Sequence, residues 1–141
     1  MYKRRMKIRR TLLVLAAALC VVTGSEAQSD AVLKTGRFKP LNNEVASGSV
    51  ALVRLADGRR VLRLLNTSIG PGPALRVYLV RGPVDGNEDV RSFKDLGALK
   101  AHRGNHSYPV PASVNTDRYA TVVIWCEDFS VAFGAARLRR G

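Results

Sequence analysis

From Gly36 onward, apolar and polar positions alternate with a period of two, the spacing of half-buried β-strands. Val50 to Ala56 and Arg59 to Leu65 flank Asp57-Gly58. Asp-Gly between alternating segments predicts a hairpin, because a two-residue loop needs positive φ at both central positions. Such a loop pairs Val53 with Leu62 and Ala51 with Leu64. One face then carries Ala51, Val53, Leu55, Leu62 and Leu64, and the other is mixed, with Leu52, Arg54, Val61 and Arg63. Ile69-Gly70-Pro71-Gly72-Pro73 is a rigid turn. It shares only composition with a Gly-rich phosphate loop, since a strand follows it and proline removes an N–H that would face a phosphate. Ala74 to Val80 then places Leu75, Val77 and Leu79 on one face, with Arg76 and Tyr78 on the other. Gly82 to Asp89 is a polar loop. Asp95 to Lys100 and Ser107 to Val110 are short strand candidates, and Pro109 and Pro111 point to a sheet edge. Tyr119 to Cys126 is apolar on both faces, the mark of a central strand. Glu127-Asp128 turns the chain, after which Phe129, Val131, Phe133 and Ala135 alternate with Ser130, Ala132 and Gly134. These elements predict an all-β fold: one antiparallel β-sandwich or partly closed barrel of seven to eight strands, spanning residues 35–138.

The amino terminus follows a different pattern. Six basic residues fall within the first ten positions, Leu12 to Val22 is apolar, and Ser25 and Ala27 are small. This is the layout of a secretory signal-peptide helix over residues 1–27, with cleavage expected between Ala27 and Gln28. The apolar run is short for a membrane anchor, which needs about 20 residues. A lipoprotein cut before Cys20 is disfavoured by the bulky Leu19. Gln28 to Lys34 shows no period and reads as a short tether, and residues 139–141 read as a basic tail.

Export changes the charge picture. The whole chain carries +12, but the signal segment takes six bases and the acid Glu26 with it, leaving +7. It also takes Cys20, Met1 and Met6, so the exported chain holds one cysteine, Cys126, and no methionine. Arg137, Arg139 and Arg140 give the tail a weak affinity for an anionic membrane surface. Nucleic acid is excluded as a partner by export and by aromatics that follow the strand pattern instead of interleaving with the bases.

Several segments together resemble the DM13 domain family: Gly36-Arg37-Phe38, Gly72-Pro73-Ala74-Leu75-Arg76-Val77-Tyr78-Leu79, Asp95-Leu96-Gly97-Ala98-Leu99-Lys100, Gly104-Asn105-His106-Ser107-Tyr108, and Val123-Ile124-Trp125-Cys126-Glu127-Asp128-Phe129-Ser130-Val131-Ala132-Phe133-Gly134. The resemblance implies an extracytoplasmic β-domain with an electron-transfer role. It also implies that the cysteine, here Cys126, acts as a bare redox thiol or holds a prosthetic group such as haem. The chain departs from the family pattern twice. Ala74 stands where the family often has Asp, and Asn42, Asn43 and Glu44 occupy the stretch before Gly48 where many members carry His.

Cys126 admits two readings from the residues themselves. It ends an apolar strand, as a buried thiol acting as a small hydrophobe would. An unpaired cysteine in an oxidising compartment is also unusual, which points to redox chemistry. The adjacent Glu127 and Asp128 oppose negative charge on the sulfur. His102 and His106 stand four apart, but Gly104 and Asn105 between them read as a loop, so surface histidines are expected and no metal site is assigned. A copper site of Cys126 with both histidines lacks an axial Met and a His following the cysteine. Covalent haem is disfavoured by the absence of C-x-x-C-H, while non-covalent haem on Cys126 or a His stays open. Cys126, His106 and Asn105 are the residue types of a thiol hydrolase, but no helix is predicted to activate the sulfur. No catalytic triad or other hydrolytic constellation is visible. Asp85, Glu88 and Asp89 read as a solvated loop, and Asn66-Thr67-Ser68 and Asn105-His106-Ser107 fit the glycosylation triplet. Two functions lead: an exported redox or electron-transfer domain centred on Cys126 with Trp125 packed beside it, serving a partner protein; or a non-catalytic surface-binding or adhesion module with Cys126 inert. An extracytoplasmic enzyme is the weakest of the three.

Overall fold

The computed structural model describes residues 28–141. The signal segment and cleavage point expected within residues 1–27 lie outside the described residues. Nine strands follow in order: β1 (Ala31–Pro40), β2 (Ala46–Arg54), β3 (Arg60–Ile69), β4 (Leu75–Val80), β5 (Phe93–Ala98), β6 (Arg103–Val110), β7 (Thr121–Cys126), β8 (Val131–Arg137) and β9 (Arg139–Arg140). All pair antiparallel in one sheet, ordered β5-β4-β7-β8-β1-β2-β3-β6, with β9 beside β1. The sheet curls into a nearly closed barrel, the second of the two expected architectures. β7 is paired on both sides, as its two apolar faces predict. β5 and β6 are the free ends. The turn between them draws the ends together through Leu99 N–H to the Leu75 carbonyl at 2.9 Å and Ile69 N–H to the His102 carbonyl at 2.7 Å.

Both chain ends differ from expectation. The supposed tether is strand from Ala31, and the supposed tail is β9, with Lys34 opposite Arg140 and Thr35 opposite Arg139. Sheet pairing satisfies backbone groups that a loose tail would leave to water. Leu138 interrupts β8–β9, donating its N–H to the Ala120 carbonyl at 2.7 Å, and its side chain is buried.

The β2–β3 hairpin also differs, by one residue. Leu52 pairs with Leu62 and Val50 with Leu64. Leu55 N–H donates to the Arg59 carbonyl at 2.7 Å, and Gly58 N–H donates to the Leu55 carbonyl at 2.9 Å, with Gly58 at φ +89°. The loop is therefore three residues with a left-handed glycine, not two. This change of register moves one strand's inward set: Val50 and Leu52 join Leu62 and Leu64 in the interior, while Ala51 and Val53 alternate to the opposite face, where they are also buried.

The interior holds Val50, Leu52, Leu62, Leu64, Val77, Leu79, Tyr108, Val122, Ile124, Cys126 and Phe133. A smaller cluster lies outside the barrel, where Tyr78, Val80, Val123, Ala132 and Ala135 are covered by Val84 and Val90. Asn87 fixes this covering loop: its Oδ1 accepts from Ala132 N–H and from Asn42 Nδ2, both at 2.8 Å. A bulge opposite Ile124 and Trp125 breaks the alternation expected for β8, so Phe133 faces the interior while Ala132 and Ala135 both face the outer cluster. Phe129, expected in that strand, sits exposed in the β7–β8 turn.

Candidate functional site

Cys126 ends the central strand β7, with Leu75 of β4 on one side and Val131 of β8 on the other. The proline-glycine turn before β4 roofs this end of the barrel. Gly72 is required there, because a Cβ would stand 2.7 Å from Phe133 Cζ. Ala74 adopts φ +52°, and its carbonyl accepts the Glu127 N–H at 3.1 Å, tying the roof to the β7–β8 turn. Beneath the roof, the Cys126 thiol is fully buried and donates to the Pro73 carbonyl at 3.0 Å. Cys126 is the free cysteine among the described residues.

Trp125 does not pack beside Cys126. Successive strand residues point to opposite faces, so Cys126 enters the interior and Trp125 joins the outer cluster. There Trp125 lies 6.2 Å from Tyr78, ring centre to ring centre, and Tyr78 stacks on Phe93 at 4.2 Å. Burial raises the Tyr78 phenol above its ordinary range. Arg76, paired with Trp125 across the strands, bonds Asp95 at 2.6 Å and approaches Glu127 at 3.6 Å. Glu127 is thus engaged on the outer face, away from the sulfur.

The other sequence candidates go to structural partners. His102 Nδ1 meets the Gly70 carbonyl at 3.1 Å, and His106 Nε2 meets the Arg103 carbonyl at 2.7 Å. The Cys126 thiol therefore bonds a carbonyl instead of an imidazole. Among the described residues, no group of three or more His, Cys, Asp or Glu gathers where a metal ion would bind. Asp89 accepts from Asp85 N–H at 2.9 Å and Gly86 N–H at 3.0 Å, which shapes its own loop. Asn105 accepts the Asn66 N–H at 2.7 Å, so the two glycosylation triplets meet at one β3–β6 corner.

Against this geometry, the family model for electron transfer DM13 matches residues 37–138. The chain belongs to the DM13 family. No curated protein and no solved structure matches it. A haem held on Cys126 would need a pocket open to the sulfur. Here the sulfur is enclosed by Leu75, Val131 and the Pro73 roof, so the residues as folded do not fit a haem. What sequence reasoning missed is the roof: the turn that reads as a connector supplies the one polar partner of Cys126 among the described residues. The signal was available in the pairing of Cys126 with Leu75, two residues beyond Pro73, once β4 and β7 are neighbours.

Proposed function

We propose that this protein is an extracytoplasmic electron-transfer domain whose redox group is the bare thiol of Cys126. Membership of the electron-transfer DM13 family supports the role. One observation supports the centring on Cys126: among the described residues the thiol's only polar contact is the Pro73 carbonyl of a surface turn, and displacing that turn would open a way to the sulfur. Buried with no second cysteine among the described residues, the thiol is protected from disulfide formation until that happens. An electron donor or acceptor protein is the implied partner, and the basic end of the chain is read as meeting an anionic surface. The signal-like amino terminus supports export.

Full burial of Cys126 favours one second reading, a surface-binding module whose cysteine is only a core residue. The two part on reactivity under native conditions. The purified protein is titrated with a thiol reagent before and after denaturation and subjected to protein-film voltammetry, alongside Cys126→Ala. Native labelling and a redox wave, both lost in Cys126→Ala, are expected. A thiol that reacts only after denaturation, with no wave in either protein, overturns the redox reading and leaves the binding module.

A further inference from the structure

The arginines near the carboxyl terminus are built into the sheet. Phe38 pairs with Ala136 and Thr35 with Arg139, one register across β8 and β9. Alternate residues of neighbouring antiparallel strands share a face. Arg37 and Lys39 of β1 therefore stand together with Arg137 and Arg139. All four are exposed. None forms an ion pair among the described residues, where the arginines that do are Arg59, Arg63, Arg76 and Arg140. The four cations line two adjoining recesses of about 200 and about 570 Å³, and Asp85 is the single acid lining either. Arg140 is neutralised separately by Asp117 at 3.3 Å.

We propose that this four-cation face docks the domain on an anionic phospholipid surface. The inference stands apart from the role of Cys126. The backbones that carry the charges are already ordered in the sheet, so docking spends no entropy on forming a segment. Each basic residue near such a surface multiplies binding about fivefold, and four compound to on the order of 10³-fold, a reversible and salt-sensitive attachment. The face favours a lipid surface over an acidic protein partner because protein interfaces draw most of their affinity from large apolar and aromatic anchors. The exposed aromatics here are elsewhere: Phe93 begins β5, four strands from β1, and Phe129 lies in the β7–β8 turn. Thr121, which lines the smaller recess, and Cys126 occupy opposite ends of β7. Docking on the cations therefore turns the cysteine end away from the membrane.

The test is co-sedimentation of the protein with vesicles of mixed phosphatidylglycerol and phosphatidylcholine, and with phosphatidylcholine alone. Expected is binding to the anionic vesicles only, fading as salt rises. Arg137→Gln/Arg139→Gln, and independently Arg37→Gln/Lys39→Gln, each weaken it at least about tenfold. Lys94→Gln/Arg103→Gln, which removes the same charge from exposed positions on β5 and β6, leaves it within about twofold. Circular dichroism checks that each variant keeps its strands. Four results overturn the proposal: no binding to anionic vesicles at low salt, equal binding to phosphatidylcholine, equal loss in all three double variants, or equal binding to polyglutamate. Saturable binding of inorganic phosphate by calorimetry, with the same variant sensitivity, also overturns it in favour of a free-phosphate site.

Discussion

Lys34 carries an ammonium group into the wall of the barrel, where the residue is only 9% exposed. Among the described residues no carboxylate pairs with it. Instead Nζ donates to the Thr116 carbonyl at 3.0 Å and the Tyr119 carbonyl at 3.1 Å. Those carbonyls bracket the short 3₁₀ turn Thr116–Arg118, so one side chain staples the β6–β7 connection to β1. Lys34→Met keeps the apolar stem and removes the donor, leaving two carbonyls without it. The expected cost is about 1–3 kcal/mol, read as a lower urea midpoint with an unchanged slope. An unmoved midpoint would show that water replaces the ammonium without loss. Cys126 is the contrasting case. Its burial was one of the two readings that the apolar strand offered, but its Pro73 partner comes from a turn 53 residues away, which no local pattern encodes.

Among the elements, β1 is the hinge of the fold. Its first part pairs with β2 and β9, and its end, Phe38–Pro40, pairs with β8. Gly36 sits at the crossing. A Cβ there would collide with the Arg137 carbonyl oxygen and press Val50 Cγ2 at 3.3 Å. Gly36→Ala is expected to destabilise by about 1–3 kcal/mol and to speed amide exchange at Leu138 and Arg139, with β3 and β6 unaffected. Uniform faster exchange throughout the sheet would instead mean global loosening. Strand existence was legible from short apolar runs as well as from alternation, as the expected Tyr119–Cys126 against the observed Thr121–Cys126 shows. Register was not, because Asp57-Gly58 suits either a two-residue loop or a three-residue loop ending in glycine, and these differ by one position of pairing.

At the scale of the whole molecule, two buried phenols tie stability to pH. Burial raises both Tyr78 and Tyr108 above the ordinary tyrosine value near 10, and Tyr108 also accepts the Lys100 N–H at 2.8 Å. A raised folded value means the native state holds its protons more tightly than the unfolded chain. The resulting stability is complete below the unfolded value and lost as pH rises through the folded values. An absorbance titration is therefore expected to show both tyrosines ionising late, together with loss of strand circular dichroism. Tyr108→Phe should remove one of the late groups. Free titration of both near pH 10 in a folded protein would contradict the burial argument.

The order of residues is enough to specify a run of short antiparallel strands over the described chain, a central β7, one cysteine among those strands, and membership of the DM13 family. Alternation, turn residues and a long specific motif are local signals, readable without knowing who neighbours whom. The tertiary structure alone puts Cys126 on the interior side and Trp125 in the outer cluster, lays a turn over the cysteine, and joins Arg37 and Lys39 to Arg137 and Arg139 in one charged face. A period of two says that side chains alternate. Which side is interior, and which distant strand lies alongside, is settled by loop length, bulges and long-range pairing.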